Sequence, residues 1–332
     1  MAKAEQLKAL LQSHMEGDDA RFFAVAMQIA AHEARLGHGA MAIELRTLID
    51  QAKARKTSLP SSRGPVPIIQ PRGELASLLS ASFPSVRLSE MILPPEIAGR
   101  LSRILKEQRQ LAKLRSHGLR ARRKLLLLGP PGTGKTMSAS ALAGELSLPL
   151  FIIRLDGVIT KYLGESAAKL RLVFDAIGQT RGVYLFDEFD SIGTQRAMSN
   201  EVGEIRRVLN SFLQFIDQDE SDSLILAATN HPDLLDHALY RRFDDVIAFA
   251  MPDRPRIIDT FKAKLAPYAT ETLDWDCLAT AAEGLSYAEI TRACQDAAKD
   301  MVIHDQTALS EAVLLRALHE RKCISASGSA IT

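Results

Sequence analysis

The residues Gly129 to Thr136, GPPGTGKT, have types and a spacing suited to holding a polyphosphate. Gly129, Gly132 and Gly134 let the backbone turn its N–H groups inward at a distance that any Cβ would obstruct. Lys135 supplies a point charge, and Thr136 places a hydroxyl where a Mg2+ bridging two phosphates would sit. Further along, the apolar run VYLF leads into Asp187 and Glu188. Asp187 is suited to hold Mg2+ opposite Thr136, and Glu188 to orient and deprotonate an attacking water. Hydrolysis of a phosphoanhydride needs mainly positioning and charge stabilisation, so this set is a sufficient core. Asn230 closes the run AATN and offers a neutral amide to the lytic water and the terminal phosphate; its competing reading is a turn former ahead of His231 and Pro232. Contacts to a nucleoside triphosphate are expected from Pro131, Gly132, Thr133, Gly134, Lys135, Thr136, Met137 and Asp187.

These residues need a scaffold that brings them to one edge. The apolar run Lys124–Leu128 precedes the glycine loop, and MSASALAGEL after it reads as a helix whose positive end faces the anion. Apolar strands and helical patterns then alternate: LPLFIIRLD, SAAKLRLVFDAIG, GVYLFDEFD, NEVGEIRRVLNSFLQFID, SLILAATN and the last strand DVIAFAMP. Such alternation predicts an α/β fold, a parallel sheet flanked by helices, over residues 93–252. From Arg254 the strands stop and three helical segments follow, RPRIIDTFKAKLA, YAEITRACQDAAKDMVIHD and TALSEAVLLRALHERK. They predict a helical lid domain over 253–323, with 324–332 a flexible tail. Residues 1–56 read as a small N-terminal helical bundle of three helices, and 57–92 as a linker in which Ser, Pro and Gly accumulate from Thr57 to Gly73. His32, Glu33 and Arg35 fit a solvated or interface face of the middle helix better than a site.

A long amphipathic helix is expected from Glu96 to Arg123, crowded with Arg100, Arg103, Lys106, Arg109, Lys113, Arg115, Arg120, Arg122 and Arg123. It is either a solvated face beside the nucleotide site or a contact for an acidic partner, nucleic acid included. It lacks the aromatic residues that base stacking requires. The whole chain carries a formal net charge of +1 over 332 residues, which argues against a protein devoted to nucleic acid. Cys277, Cys294 and Cys323 have no spacing that suggests a zinc site or a disulfide framework. No apolar run approaches the ~18 residues of a membrane span, so a cytoplasmic protein without membrane contact is expected.

With GPPGTGKT, FDEFDSIGTQR and TNHPDLLDHALYRRFDDVI in this order, the chain resembles the AAA ATPases from about Leu93 to His319. The resemblance implies ATP and Mg2+ as ligands and assembly into a homohexamer. It implies that Arg241 and Arg242 reach a neighbouring subunit's site as arginine fingers. It also implies that Lys161, Tyr162 and Leu163 line a central pore and grip a protein substrate, a role that fits an exposed Tyr-Leu pair in a loop. His117 and Gly118 match the position where relatives wrap the adenine, and GLSYAEI, with Ser286 and Tyr287, matches their lid helix start. No arginine stands in that lid motif, which puts lid sensing of ATP in doubt. No HExxH metal site is present. The compact length and short N-terminal bundle look similar to stand-alone bacterial members, some encoded beside a subtilisin-like protease and linked to antiviral defence, so a separate protease partner is an expectation. A nucleic-acid remodelling or loader ATPase and an ATP-dependent regulatory switch are the alternatives.

Overall fold

A computed structural model of the protein describes residues 25–27, 47, 73–158, 165–190, 202–235, 237–268 and 273–329. The chain divides into two compact units, Met1–Ile68 and Ile69–Thr332. In the first, residues 25–27 and 47 are helical; the rest of the expected bundle, most of the linker and the expected pore residues Lys161, Tyr162 and Leu163 lie outside the described residues.

The second unit is built on a six-stranded sheet, β1 (Leu79–Ser82), β2 (Lys124–Leu128), β3 (Leu150–Ile153), β4 (Val183–Phe186), β5 (Leu224–Thr229) and β6 (Asp245–Ala248), in the spatial order β1-β3-β4-β5-β2-β6. Every pairing is parallel except β1 with β3. Strand residues alternate between two cores. Leu126, Tyr184, Phe186, Ile225 and Ala227 face helices α6 (Glu165–Gln179) and α7 (Val202–Gln218), in a cluster where Phe186 and Phe212 meet edge to face at 5.1 Å. Leu125, Leu127, Leu185, Leu226 and Ala228 face α2 (Pro95–Arg109) and α4 (Lys135–Leu146). Burial on both faces explains why these strands are continuous apolar runs. Helix α2 buries Ile97, Leu101, Ile104 and Leu105, the spacing of one helical face.

The basic helix is shorter than its sequence suggests. It breaks at Gln110, resumes as α3 (Leu111–Ser116) and stops. Gly118 takes φ +70°, its N–H donates to the Arg115 carbonyl, and Leu119 N–H donates back to Leu114, a Schellman stop that leaves residues 119–123 extended into β2.

Further elements went unannounced by the sequence pattern. In the stretch read as linker, a four-residue helix α1 (Leu75–Leu78) leads into the edge strand β1, after which residues 83–93 form a strap over α4. There Arg87 donates to the Gly144 carbonyl at 2.8 Å and Leu88 N–H to Glu145. After the short helices α5 (Leu155–Val158) and α8 (His237–Tyr240) and the sheet, the described residues of the C-terminal part contain four helices rather than three: α9 (Arg254–Leu265), α10 (Trp275–Ala282), α11 (Tyr287–Ile303) and α12 (Glu311–Ser329). Helix α10 starts where the Asp274 carboxylate accepts from Asp276 and Cys277 N–H, an N-cap readable in the sequence. Helix α12 runs on to Ser329 through the stretch read as a flexible tail, since Ala and Ser interrupt a helix only weakly. The four helices share their own core around Phe261, Leu278, Ile290 and Leu318.

Gly144 weighs two effects against each other. Alanine would favour the helix by up to about 1 kcal/mol, yet a Cβ there would stand 2.3 Å from the Val86 carbonyl oxygen of the strap. The obstacle is backbone and cannot rotate away. Gly144→Ala is therefore expected to lose about 1–3 kcal/mol of stability in thermal denaturation; an unchanged or raised Tm would mean that the strap is not seated on α4.

Candidate functional site

Parallel strands end at one edge, and there the chemistry-bearing residues collect. Gly129 (φ +141°), Gly132 (φ +73°) and Gly134 (φ +102°) give the loop after β2 its turns, and α4 begins at Lys135 with its N-terminus toward the loop. The buried Thr133 hydroxyl donates to the Pro130 carbonyl at 2.7 Å and holds the loop's curvature. Lys135 Nζ donates to the carbonyls of Gly129 (2.6 Å) and Pro130 (2.8 Å) and to Asn230 Oδ1 (2.8 Å). Burial lowers the pKa of this ammonium, and the carboxylates of Asp187 and Asp190 act in the opposite sense.

Asp187 follows β4 directly, and its carboxylate accepts the Thr136 hydroxyl at 2.8 Å. The two oxygen donors expected to share a metal thus meet. Glu188 is exposed, in the left-handed region at φ +49°, with its N–H donating to Asp187 Oδ1 at 3.0 Å. A non-glycine residue in that region carries strain, which turns the Glu188 side chain out of the strand's line. Phe189 then buries itself and its N–H donates to the Ala228 carbonyl, tying the end of β4 to β5. Asn230 is fixed from both sides, by the Asp190 carboxylate at its N–H (3.3 Å) and by Lys135 at its amide oxygen. Thr229 donates to the same Asp190 at 3.0 Å.

Of these groups, Gly132, Thr133, Gly134, Lys135, Thr136, Asp187, Glu188 and Asn230 border one cavity of about 640 Å³. Its walls are the phosphate loop with Met137, then Asp187, Glu188 and Asn230, the strap residues Glu90–Leu93, and, from the lid, Thr260, Lys264, Tyr287, Ala288, Thr291, Arg292 and Gln295. The volume and the apolar strap beside a cationic, glycine-lined end suit a nucleotide. The lid rests on the loop itself: Ala288 N–H donates to the Gly132 carbonyl at 3.2 Å.

The family model for ATPases associated with various cellular activities, AAA, matches residues 125–251. An uncharacterized AAA family ATPase of Sinorhizobium fredii, y4kL, is 36% identical over 323 residues, 96% of each chain. The chain belongs to the AAA family of ATPases. Among other relatives, the ATP-dependent zinc metalloproteases FtsH 4 and FtsH 3 of Sphaerobacter thermophilus are 33% and 34% identical over 232 and 234 residues. Those matches cover 67% and 68% of this chain but 35% and 48% of the metalloproteases. Among the described residues of this AAA chain, no group of three or more His, Cys, Asp or Glu is placed to hold a metal, and no helix is long and apolar enough to cross a membrane.

The two arginines before Phe243 differ in their surroundings. Arg242 pairs with Asp217 at the end of α7. Arg241 is exposed and makes no ion pair or hydrogen bond among the described residues. Neither uses Asp244 or Asp245, whose carboxylates are taken by the Arg123 and Lys124 N–H groups and by Arg100 and Arg122.

Gly118 is not part of the cavity. It belongs to the helix stop before β2, at the opposite end of the strands, beside Arg120 and Asp222. Its place at the cavity is taken by the strap residues Met91, Ile92 and Leu93, which the sequence signalled only as an apolar triplet ahead of two prolines. The basic run is largely neutralised as well. Arg109 binds Glu145, Arg115 binds Asp222, Arg122 binds Glu107 and Asp245, and Arg123 binds Asp219. Burial alone would push the Asp245 carboxyl up, but Arg100 and Arg122 together hold it below the usual carboxylate range. A surface whose cations are already matched has few counterions to release to a nucleic acid.

Gly132 carries the contact between loop and lid. A Cβ there would stand 2.5 Å from Ser286 Oγ and 3.1 Å from Ala288 Cβ, on a backbone at φ +73°. Gly132→Ala is expected to lose about 1–3 kcal/mol of stability and to weaken nucleotide binding, read by thermal denaturation and by fluorescent-nucleotide titration. Wild-type values in both would mean that the lid does not rest on the loop.

Proposed function

We propose that this chain hydrolyses ATP in the cavity between phosphate loop and lid, as one subunit of a hexameric ring that remodels or threads a protein substrate. One observation carries the hydrolytic reading. The Thr136 hydroxyl and the Asp187 carboxylate meet at 2.8 Å at the mouth of a glycine loop, with Glu188 exposed in the same cavity. The donors fit Mg2+, which takes few protein oxygens and completes its shell with water and phosphate. Bound there, the ion would neutralise charge on the phosphate chain.

The chain's own residues divide the work. The loop N–H groups from Gly132 to Thr136 and the α4 N-terminus face the phosphates. Lys135 turns from its own loop carbonyls to the anion while staying within reach of Asn230. Glu188 accepts a proton from the attacking water at its carboxylate, and its turned-out backbone sets it apart from Asp187, which would hold the metal. Asn230 orients that water and reports on the terminal phosphate. Arg241, and Arg242 after releasing Asp217, complete the site of the next subunit by stabilising charge on the transferred phosphoryl group.

The protein substrate is supported by the metalloprotease names of two relatives that share this module. In this reading Lys161, Tyr162 and Leu163 grip the polypeptide in the ring's pore, and residues 1–56 recruit it. A separate protease acting on the threaded chain, in a setting of antiviral defence, is the partner we favour.

Two measurements test the assembly. Glu188→Gln is expected to bind ATP and lose hydrolysis by about 100-fold or more, and Arg241→Ala to lose a comparable or larger factor. Mixed together, the two variants should recover part of the activity, because sites with Glu188 from one chain and Arg241 from the other re-form. No recovery, with both variants still assembling, would rule out the role in trans. Tyr162→Ala is expected to lose ATP-dependent unfolding of a protein substrate by a much larger factor than it loses ATPase; equal losses would remove the pore from the account.

A further inference from the structure

We infer that Glu145 is a positioning residue for the nucleotide cavity, holding the strap so that Met91, Ile92 and Leu93 stand as its apolar wall. The inference rests on reading the cavity as a nucleotide site. Glu145 lies in the last turn of α4 and does not itself border the cavity. Its carboxylate is engaged on both oxygens. One accepts the Leu88 N–H at 3.3 Å, and the other accepts Arg109 at 2.8 Å and stands 3.9 Å from Arg87. The same two arginines donate to the last carbonyls of α4, Arg87 to Gly144 at 2.8 Å and Arg109 to Glu145 at 3.0 Å. Cations at a helix C-terminus face its negative end, so the charges of this clasp all complement one another.

The path from clasp to cavity is short. Leu88 opens a single helical turn, Leu88–Glu90, and the first N–H of a turn has no acceptor within it. Glu145 provides that acceptor. The turn is also closed on itself, because the Arg87 N–H donates to the Glu90 carboxylate and the Met91 N–H to the Leu88 carbonyl, each at 3.2 Å. Residues 87–91 are therefore bonded as one piece, and the wall begins where that piece ends. The Met91 methyl lies 3.5 Å from the position a Cβ would take at Gly134, so the wall reaches the phosphate loop. Helix α4 serves both ends of the site. Its first turn carries the phosphate loop, and about 15 Å further along Glu145 seats the strap. The Arg87 and Arg109 side chains are about half exposed, so their ion pairs add little to overall stability. The bond to the Leu88 backbone is the one that places the wall.

The test is titration of the full chain with ATP, ADP and inorganic tripolyphosphate, together with steady-state ATPase kinetics. Glu145→Ala is expected to weaken ATP and ADP alike by about fivefold or more, the size of one net hydrogen bond, and to raise KM while kcat stays within about twofold. Tripolyphosphate, which has no base to meet the wall, should keep its wild-type affinity. Glu145→Gln retains an oxygen for the Leu88 N–H and should restore most of the ATP affinity; Glu145→Asp, one methylene short, should not. Wild-type ATP affinity in Glu145→Ala, or an equal loss for ATP and tripolyphosphate, would overturn the inference while leaving the nucleotide site intact. Where the alanine variant folds poorly, Arg87→Ala removes one leg of the clasp from an exposed position and should show the same selective loss, smaller in size. Failure of the wild-type chain to bind ATP at all would sink the cavity reading and this inference together.

Discussion

At Gly129 and Gly132 the backbone has no Cβ to hold its neighbours off, and the packing around the cavity depends on that. A Cβ at Gly129 would stand 2.2 Å from the Phe249 carbonyl oxygen, and one at Gly132 would meet Ser286. The end of β6 therefore closes on one side of the phosphate loop and the lid helix on the other. Ser286, Gly132's neighbour, also caps α11, in a reciprocal arrangement with Glu289. One short loop is at once the anion cradle, the floor for the lid and a wall for the last strand.

The two edges of the sheet are treated differently. At the N-terminal ends of β2, β5 and β6, arginines and acids are matched in ion pairs: Arg123 with Asp219, Arg122 and Arg100 with Asp245. Asp219 and Asp245 are buried in these pairs, where desolvation offsets much of the attraction, and the pairs leave that edge electrically quiet. At the C-terminal ends the residues are held for chemistry. Asp187, Glu188 and Asn230 are fixed by bonds to one another's neighbours, with Asp190 and Thr136 as the posts. Parallel strands make this separation of edges automatic, because every strand enters at one side and delivers its last residue to the other.

The glycine loop, the acids after β4 and the asparagine after β5 were legible because each follows an apolar run that is buried on both faces. β1 was not, since its four residues LSAS form an antiparallel edge strand with half its side chains exposed. Helix α10 escaped notice through its eight-residue length, although Asp274 marks its start. Gly118, which the resemblance puts at the adenine, stands before β2, and the length of β2 separates that end of the strand from the loop. The lid and strap walls of the cavity belong to tertiary packing. Nothing in the spacing of Met91, Lys264 or Arg292 says that three distant segments will face one loop.

Lys135 shows how far the loop's order comes from bonds within its own neighbourhood. Its ammonium is met by two carbonyls of its own loop and by Asn230, so it is hydrogen-bonded to neutral oxygens and keeps its charge. An anion that takes up this ammonium must compete with these three bonds. Binding strength is then a difference between two hydrogen-bonded arrangements of the same side chain.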